Sequence, residues 1–118
     1  NKDYAPFNWR GWWDFGCGAI GDMACHIMDP AFWALKLDQA ASFSCETIEQ
    51  EGTTKECAPN KSKLKFEVPA RGDMEAVTIY WYDGGLLPNR PEGLAPEDVL
   101  GDKPDGEVIG GLLPRQAV

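Results

Sequence analysis

The hydrophobic period of this chain changes once, near Asp38, and that change constrains the fold more than any other feature. From Gly18 to Leu37, the residues Ile20, Met23, Ala24, Ile27, Ala31 and Leu35 recur at the i, i+3, i+4, i+7 spacing of one buried helix face. Beyond Asp38 the period falls to two. Segment 42–49 alternates Phe43, Cys45, Thr47 and Glu49 against Ser44, Glu46 and Ile48. Segment 61–68 sets Leu64, Phe66 and Val68 against Lys63, Lys65 and Glu67, and segment 76–82 sets Val77, Ile79 and Trp81 against Thr78, Tyr80 and Tyr82. One helical block and three strands are predicted, with the Ile20/Met23/Ile27/Ala31 face packed on the sheet.

Local breakers sharpen the boundaries. Pro30 lacks a backbone donor and clashes with the carbonyl four residues back, so the helix over Gly18–Leu37 kinks or restarts there. Asp29-Pro30 also reads as an N-cap followed by proline at the first helical position. Turns are expected at Ala58-Pro59-Asn60 and Ala70-Arg71-Gly72-Asp73, and Asp83-Gly84-Gly85 ends the last strand. The first seventeen residues carry Tyr4, Phe7, Trp9, Trp12, Trp13 and Phe15, punctuated by Pro6, Gly11 and Gly16. They follow neither period and read as a structured aromatic loop. From residue 83 to 118 the prolines at 88, 91, 96, 104 and 114 break every candidate element, leaving a Pro/Gly-rich tail.

At 118 residues there is room for one hydrophobic core. Nineteen acids against eleven bases give a formal charge of −8, which offers no general attraction for phosphate backbones or anionic lipid. Nucleic-acid and membrane partners are not expected. The longest apolar stretch, Ala31 to Leu37, is interrupted by Lys36 and is far short of a membrane span. The opening Asn-Lys-Asp-Tyr reads as a cut, so the chain is taken as an excised piece of something longer. The cysteines at 17, 25, 45 and 57 fit no zinc or redox spacing, and no metal site is expected. A Cys45–Cys57 disulfide is conceivable across a hairpin loop at 50–54.

The segment with chemistry in it is 16–29. Asp22 and His26 stand four apart, on one face of a helix and one turn from each other. A carboxylate beside an imidazole orients the ring and favours its protonated form, which prepares a proton acceptor. Glycines 16, 18 and 21 let a backbone or a ligand approach the helix start closely. The same pair is also common as an ordinary surface contact. Three features weigh against that here: His26 is the sole histidine, the pair follows a Gly-rich start, and a loop rich in large aromatics with Arg10 precedes it.

Phe7-Asn8-Trp9-Arg10-Gly11-Trp12-Trp13-Asp14-Phe15-Gly16, followed by Gly18-Ala19-Ile20-Gly21-Asp22-Met23-Ala24-Cys25-His26-Ile27-Met28-Asp29, resembles a known region. It is the catalytic-helix region of the glucose–fructose oxidoreductase/inositol dehydrogenase (Gfo/Idh/MocA) superfamily, a glycine-rich turn and then Asp-x-x-x-His-x-x-Asp. Residues 66–72 and 79–85 are similar to the same branch, so the resemblance runs over about residues 4 to 90. It implies part of a C-terminal α+β domain: an open, largely antiparallel sheet with the catalytic helix on one face. In full-length members an N-terminal Rossmann domain holds NAD or NADP, and a sugar or polyol binds between the domains. By that resemblance His26 is the proton acceptor, Asp22 assists it, and Arg10, Trp12 and Trp13 line the substrate pocket. Asp22 and His26 are then expected within hydrogen-bond reach, facing the loop 7–15 beside a concavity.

Other parts of the family pattern are missing. No G-x-G-x-x-G fingerprint follows a strand, the family's Glu-Lys-Pro lysine motif does not occur, and no strand precedes the aromatic loop. Half of an active site is expected, with no cofactor bound by this piece alone. The same residues are compatible with a cofactor-free carbohydrate-binding or oligomerisation module, using Trp9, Trp12, Trp13 and the sheet, which in this family often forms a dimer interface. A third reading makes the aromatics plain core. Cytoplasmic and periplasmic locations stay equally open.

Overall fold

The computed structural model describes residues 3–95 and 97–98. Its elements are a 3-10 turn at Asn8–Gly11, helix α1 (Gly18–Ile27), helix α2 (Asp29–Ala34), a second 3-10 turn at Leu37–Gln39, and strands β1 (Ser44–Glu51), β2 (Lys61–Val68) and β3 (Val77–Tyr82). The fold is α+β with a three-stranded antiparallel sheet in the order β1-β2-β3. No described helix is long and apolar enough to cross a membrane.

The expected helix does restart at Pro30. Met28 takes the cap position of α2, so Asp29 sits inside its first turn, one residue later than the sequence reading placed it. The helix also stops sooner, because Lys36 enters the left-handed region (φ 50°, ψ 46°) and turns the chain out of α2. The carbonyls exposed by that exit are taken up from the sheet side. Arg71, in the β2–β3 connection, is 5% exposed and donates from Nε to Leu35 O (2.8 Å) and Lys36 O (3.2 Å). Its Nη1 donates to Pro69 O (3.1 Å) and Glu75 O (2.9 Å), so one guanidinium closes both the helix end and its own loop.

In the sheet the period of two becomes two faces. Leu64 lies opposite Trp81, Phe66 opposite Ile79, and Val68 opposite Val77 on one face. Lys63 opposite Tyr82 and Lys65 opposite Tyr80 build the other. β1 adds Cys45 and Thr47 to the apolar face, opposite Phe66 and Leu64. A register shift between Thr47 and Glu49 then moves Glu49 across to Lys63 on the charged face. Simple alternation had grouped Glu49 with Phe43, Cys45 and Thr47; the bulge spares the apolar face a carboxylate.

The core is small: Ala58, Val68 and Trp81 are its buried apolar members. Ile20, Met23, Ile27 and Ala31 are only half-buried, and the main packing partners of α1 are the 3-10 turn Asn8–Gly11 and α2. This corrects the expectation that this face would pack squarely on the sheet. The connection to the sheet runs through Arg71 at the end of α2. The reading of the aromatics as core is corrected as well. Tyr4, Phe7, Trp9, Trp13 and Phe15 are all exposed.

All four cysteines are free. Cys45 faces Phe66 well inside the β1–β2 ladder, whereas Cys57 sits in the connecting loop opposite Trp12, so the conceivable disulfide has no geometry to form. Within 83–98 the described residues form turns only, and residues 99–118 of the tail lie outside them.

Candidate functional site

The aromatic loop is fixed by the β1–β2 connection. Trp12 forms an antiparallel bridge with Cys57, the Trp13 amide donates to Glu56 O (2.9 Å), and the Ala58 amide donates to Gly11 O (2.8 Å). The Trp13 indole donates to Thr54 O at 3.3 Å. The Trp12 ring lies against Tyr4, centroids 5.1 Å apart, and its indole donates to Asp3 O. Trp12 and Trp13 thus hold the loop together. Each indole N–H has a backbone acceptor, which fixes the ring while leaving the exposed face of Trp13 open to solvent. A groove of about 400 Å³ lies at the end of the sheet, lined by Phe43, Val68 and Val77 among others.

The glycines at the helix start serve backbone packing. A Cβ on Gly18 (φ +72°) would sit 2.7 Å from the Ala58 Cβ, and one on Gly16 would sit 2.6 Å from Arg10 Cα. On Gly21 it would meet Cys17 Cβ at 2.7 Å. Of the two uses the sequence allowed, close approach of backbone or of ligand, the structure realises the first.

With the loop seated there, Arg10 reaches the first turns of α1. Its Nη1 lies 3.1 Å from Asp22 Oδ2, with the two side chains 31% and 27% exposed. The guanidinium carbon stands 4.8 Å from the Phe7 ring centre and 5.6 Å from that of Trp9. The sequence singles out Arg10 and Asp22 separately, and the structure brings them together; Phe7 and Trp9, whose rings stand against Arg10, were not singled out as site residues. The available signal was their proximity in Phe-Asn-Trp-Arg, which cannot reveal which way a ring turns.

His26 sits one turn beyond Asp22 on α1, exposed to solvent. The hydrogen bond expected between Asp22 and His26 is not formed; the carboxylate pairs with Arg10 instead. The cause is the relative strength of the partners. A guanidinium brought in from the loop makes a charge-assisted contact, whereas an imidazole at i+4 must reach across about 5–6 Å between Cβ atoms. Among the described residues no three His, Cys, Asp or Glu side chains gather as a metal site.

An aromatic loop docked on a hairpin connection, a Gly-packed helix entry and a small antiparallel sheet make up one α+β unit. A family model described as "Oxidoreductase family, C-terminal alpha/beta domain" matches residues 1–68, and the chain belongs to that Gfo/Idh/MocA oxidoreductase family. The match takes in the aromatic loop, both helices, β1 and β2, and ends with β2, so the resemblance drawn over residues 79–85 lies beyond it. Comparison with curated proteins finds no match.

Proposed function

We propose that this chain contributes the catalytic helix of an NAD(P)-dependent oxidoreductase acting on a sugar or polyol hydroxyl. His26 accepts the hydroxyl proton and Asp22 assists it. The observation that carries the reading is the placement of a solvent-open imidazole one turn after a carboxylate that Arg10 already holds. The chain supplies the proton half of the oxidation. The reading therefore assigns NAD or NADP to another domain of the parent protein, with the substrate between the two.

The test is His26→Asn in the full-length parent. Loss of a general base lowers kcat by about 10²–10⁴-fold. Turnover equal to that of the unsubstituted protein rejects the enzymatic reading.

A second reading, an oligomerisation module, rests on β1. Every residue of that strand is exposed, as is Phe43 just before it. An edge of this kind offers unpaired backbone groups to a second copy. Sedimentation over a range of concentrations tests it; a monomer throughout rejects it.

A further inference from the structure

We infer that Arg10 is a positioning residue for Asp22 and not a ligand of the substrate; the inference rests on the proposed role of the Asp22–His26 pair and goes beyond it. Four independent features converge on this arginine. Its Nη1 is committed to Asp22 Oδ2 at 3.1 Å. Its Nε is buried and has no hydrogen-bond partner among the described residues, so a side-on fork through Nε onto two hydroxyls or a carboxylate from solvent is closed off. Phe7 and Trp9 stand against the guanidinium at 4.8 and 5.6 Å. The main chain of Arg10 is pressed on Gly16, where any Cβ would stand 2.6 Å from Arg10 Cα.

The backbone cost of this arrangement points the same way. Phe7 holds φ +65°, a left-handed conformation that is rare and strained for a bulky residue. The strained residue is the one whose ring backs the guanidinium. The aromatic lead-in thus acts on the helix through a single cation. It fixes one oxygen of Asp22, Oδ2, and leaves Oδ1 outside the ion pair. A carboxylate held by one oxygen keeps its orientation while the second remains available to the imidazole one turn on.

The two roles for Arg10 separate in kinetics. A substrate ligand affects ground-state binding and raises KM when removed, whereas a positioning residue lowers kcat and leaves KM nearly unchanged. The experiment uses the full-length protein with D-glucose, D-xylose and myo-inositol, each offered with NAD and NADP. Arg10→Met is expected to reduce kcat by up to about 100-fold with KM within about twofold, and Arg10→Lys to recover part of the loss. The double variant Arg10→Met/Asp22→Asn should be no slower than the slower single variant, because both remove one unit. A raised KM with unchanged kcat, or additive losses, overturns the inference while leaving His26 as the base. A His26→Asn variant of normal rate removes the underlying reading instead. The ion pair is also read without turnover. The guanidinium resonances of Arg10 in a ¹⁵N-labelled sample should broaden or shift in Asp22→Asn, with circular dichroism confirming that the variant is folded. Resonances unmoved by that substitution overturn the inference whatever the substrate panel shows.

Discussion

Arg71 and Leu35 are joined at the end of α2 by a 2.8 Å hydrogen bond from Nε to the carbonyl, and this contact ties the helical half of the chain to the strands. Arg71 is 5% exposed, and its guanidinium donates to the backbone carbonyls of Leu35, Lys36, Pro69 and Glu75. Replacing it by Met keeps the apolar stem and strands those carbonyls in a buried place, at about 1–3 kcal/mol for an unsatisfied group. Arg71→Met is expected to lose about 2–4 kcal/mol in urea unfolding. A loss under about 0.5 kcal/mol, the size of an ordinary surface change, would show that the joint is dispensable.

The elements of this fold were legible because each has a clean period. The three strands fall within two residues of their expected bounds, and the restart at Pro30 follows from the missing amide of proline. What was not legible depends on contacts between segments distant in sequence. The Thr47/Glu49 bulge is invisible to alternation, since a period of two carries no information about the partner strand. The family-like residues Arg10, Asp22 and His26 were singled out together, yet nothing local says that Asp22 prefers the loop cation over the imidazole. Asp83 was read only as the end of a strand. Its carboxylate in fact accepts from the Ser62 amide (2.6 Å), the Ser62 hydroxyl (2.7 Å) and the Trp81 indole (2.7 Å).

That triple acceptance makes Asp83 the polar anchor of the sheet's one buried tryptophan. Asp83→Ala leaves the Ser62 amide and hydroxyl and the Trp81 indole without their acceptor, and Ser62 is itself buried. A loss of about 2–4 kcal/mol is expected, and Asp83→Asn restores only part of it, because its NH2 must face either the Ser62 amide or the Ser62 hydroxyl and Trp81 indole. Urea unfolding followed by far-UV circular dichroism reads it. An alanine variant as stable as the parent would remove the anchor.

Gly84 and Gly85 form a matched pair in which the backbone conformation is similar and the surroundings are opposite. Both have positive φ, 64° and 86°. A Cβ on Gly84 would meet the Asn60 carbonyl oxygen and stand 2.6 Å from Lys61 Cα, whereas on Gly85 it would meet nothing within 4 Å. Gly85→Ala therefore incurs only the conformational cost, about 1–2 kcal/mol. Gly84→Ala adds a clash with main chain that cannot rotate away and should lose at least about 1 kcal/mol more. Equal losses at the two positions would contradict the close approach of residue 84 to the start of β2.

Lys36 and Asp73 make the second link between the α2 exit and the β2–β3 connection, Nζ to Oδ1 at 2.6 Å. The Lys36 ammonium, chiefly through this hydrogen bond, holds the Asp73 carboxyl below its ordinary value. A depressed carboxylate contributes stability above the unfolded-state value and loses it as pH falls through the folded-state value. The contribution is therefore present at neutral pH and disappears on acidification below the ordinary carboxylate range. The pair is solvent-exposed, so its share of the total is small and is screened by salt. Asp73→Asn should flatten the acid limb of stability against pH and leave the slope near neutrality unchanged, with the difference from the parent shrinking as sodium chloride is raised. The check is a series of urea midpoints across the acid range at low and high salt. A variant whose acid limb superimposes on that of the parent would show that the contact contributes nothing to folding, leaving Arg71 as the bond that sets the exit of α2.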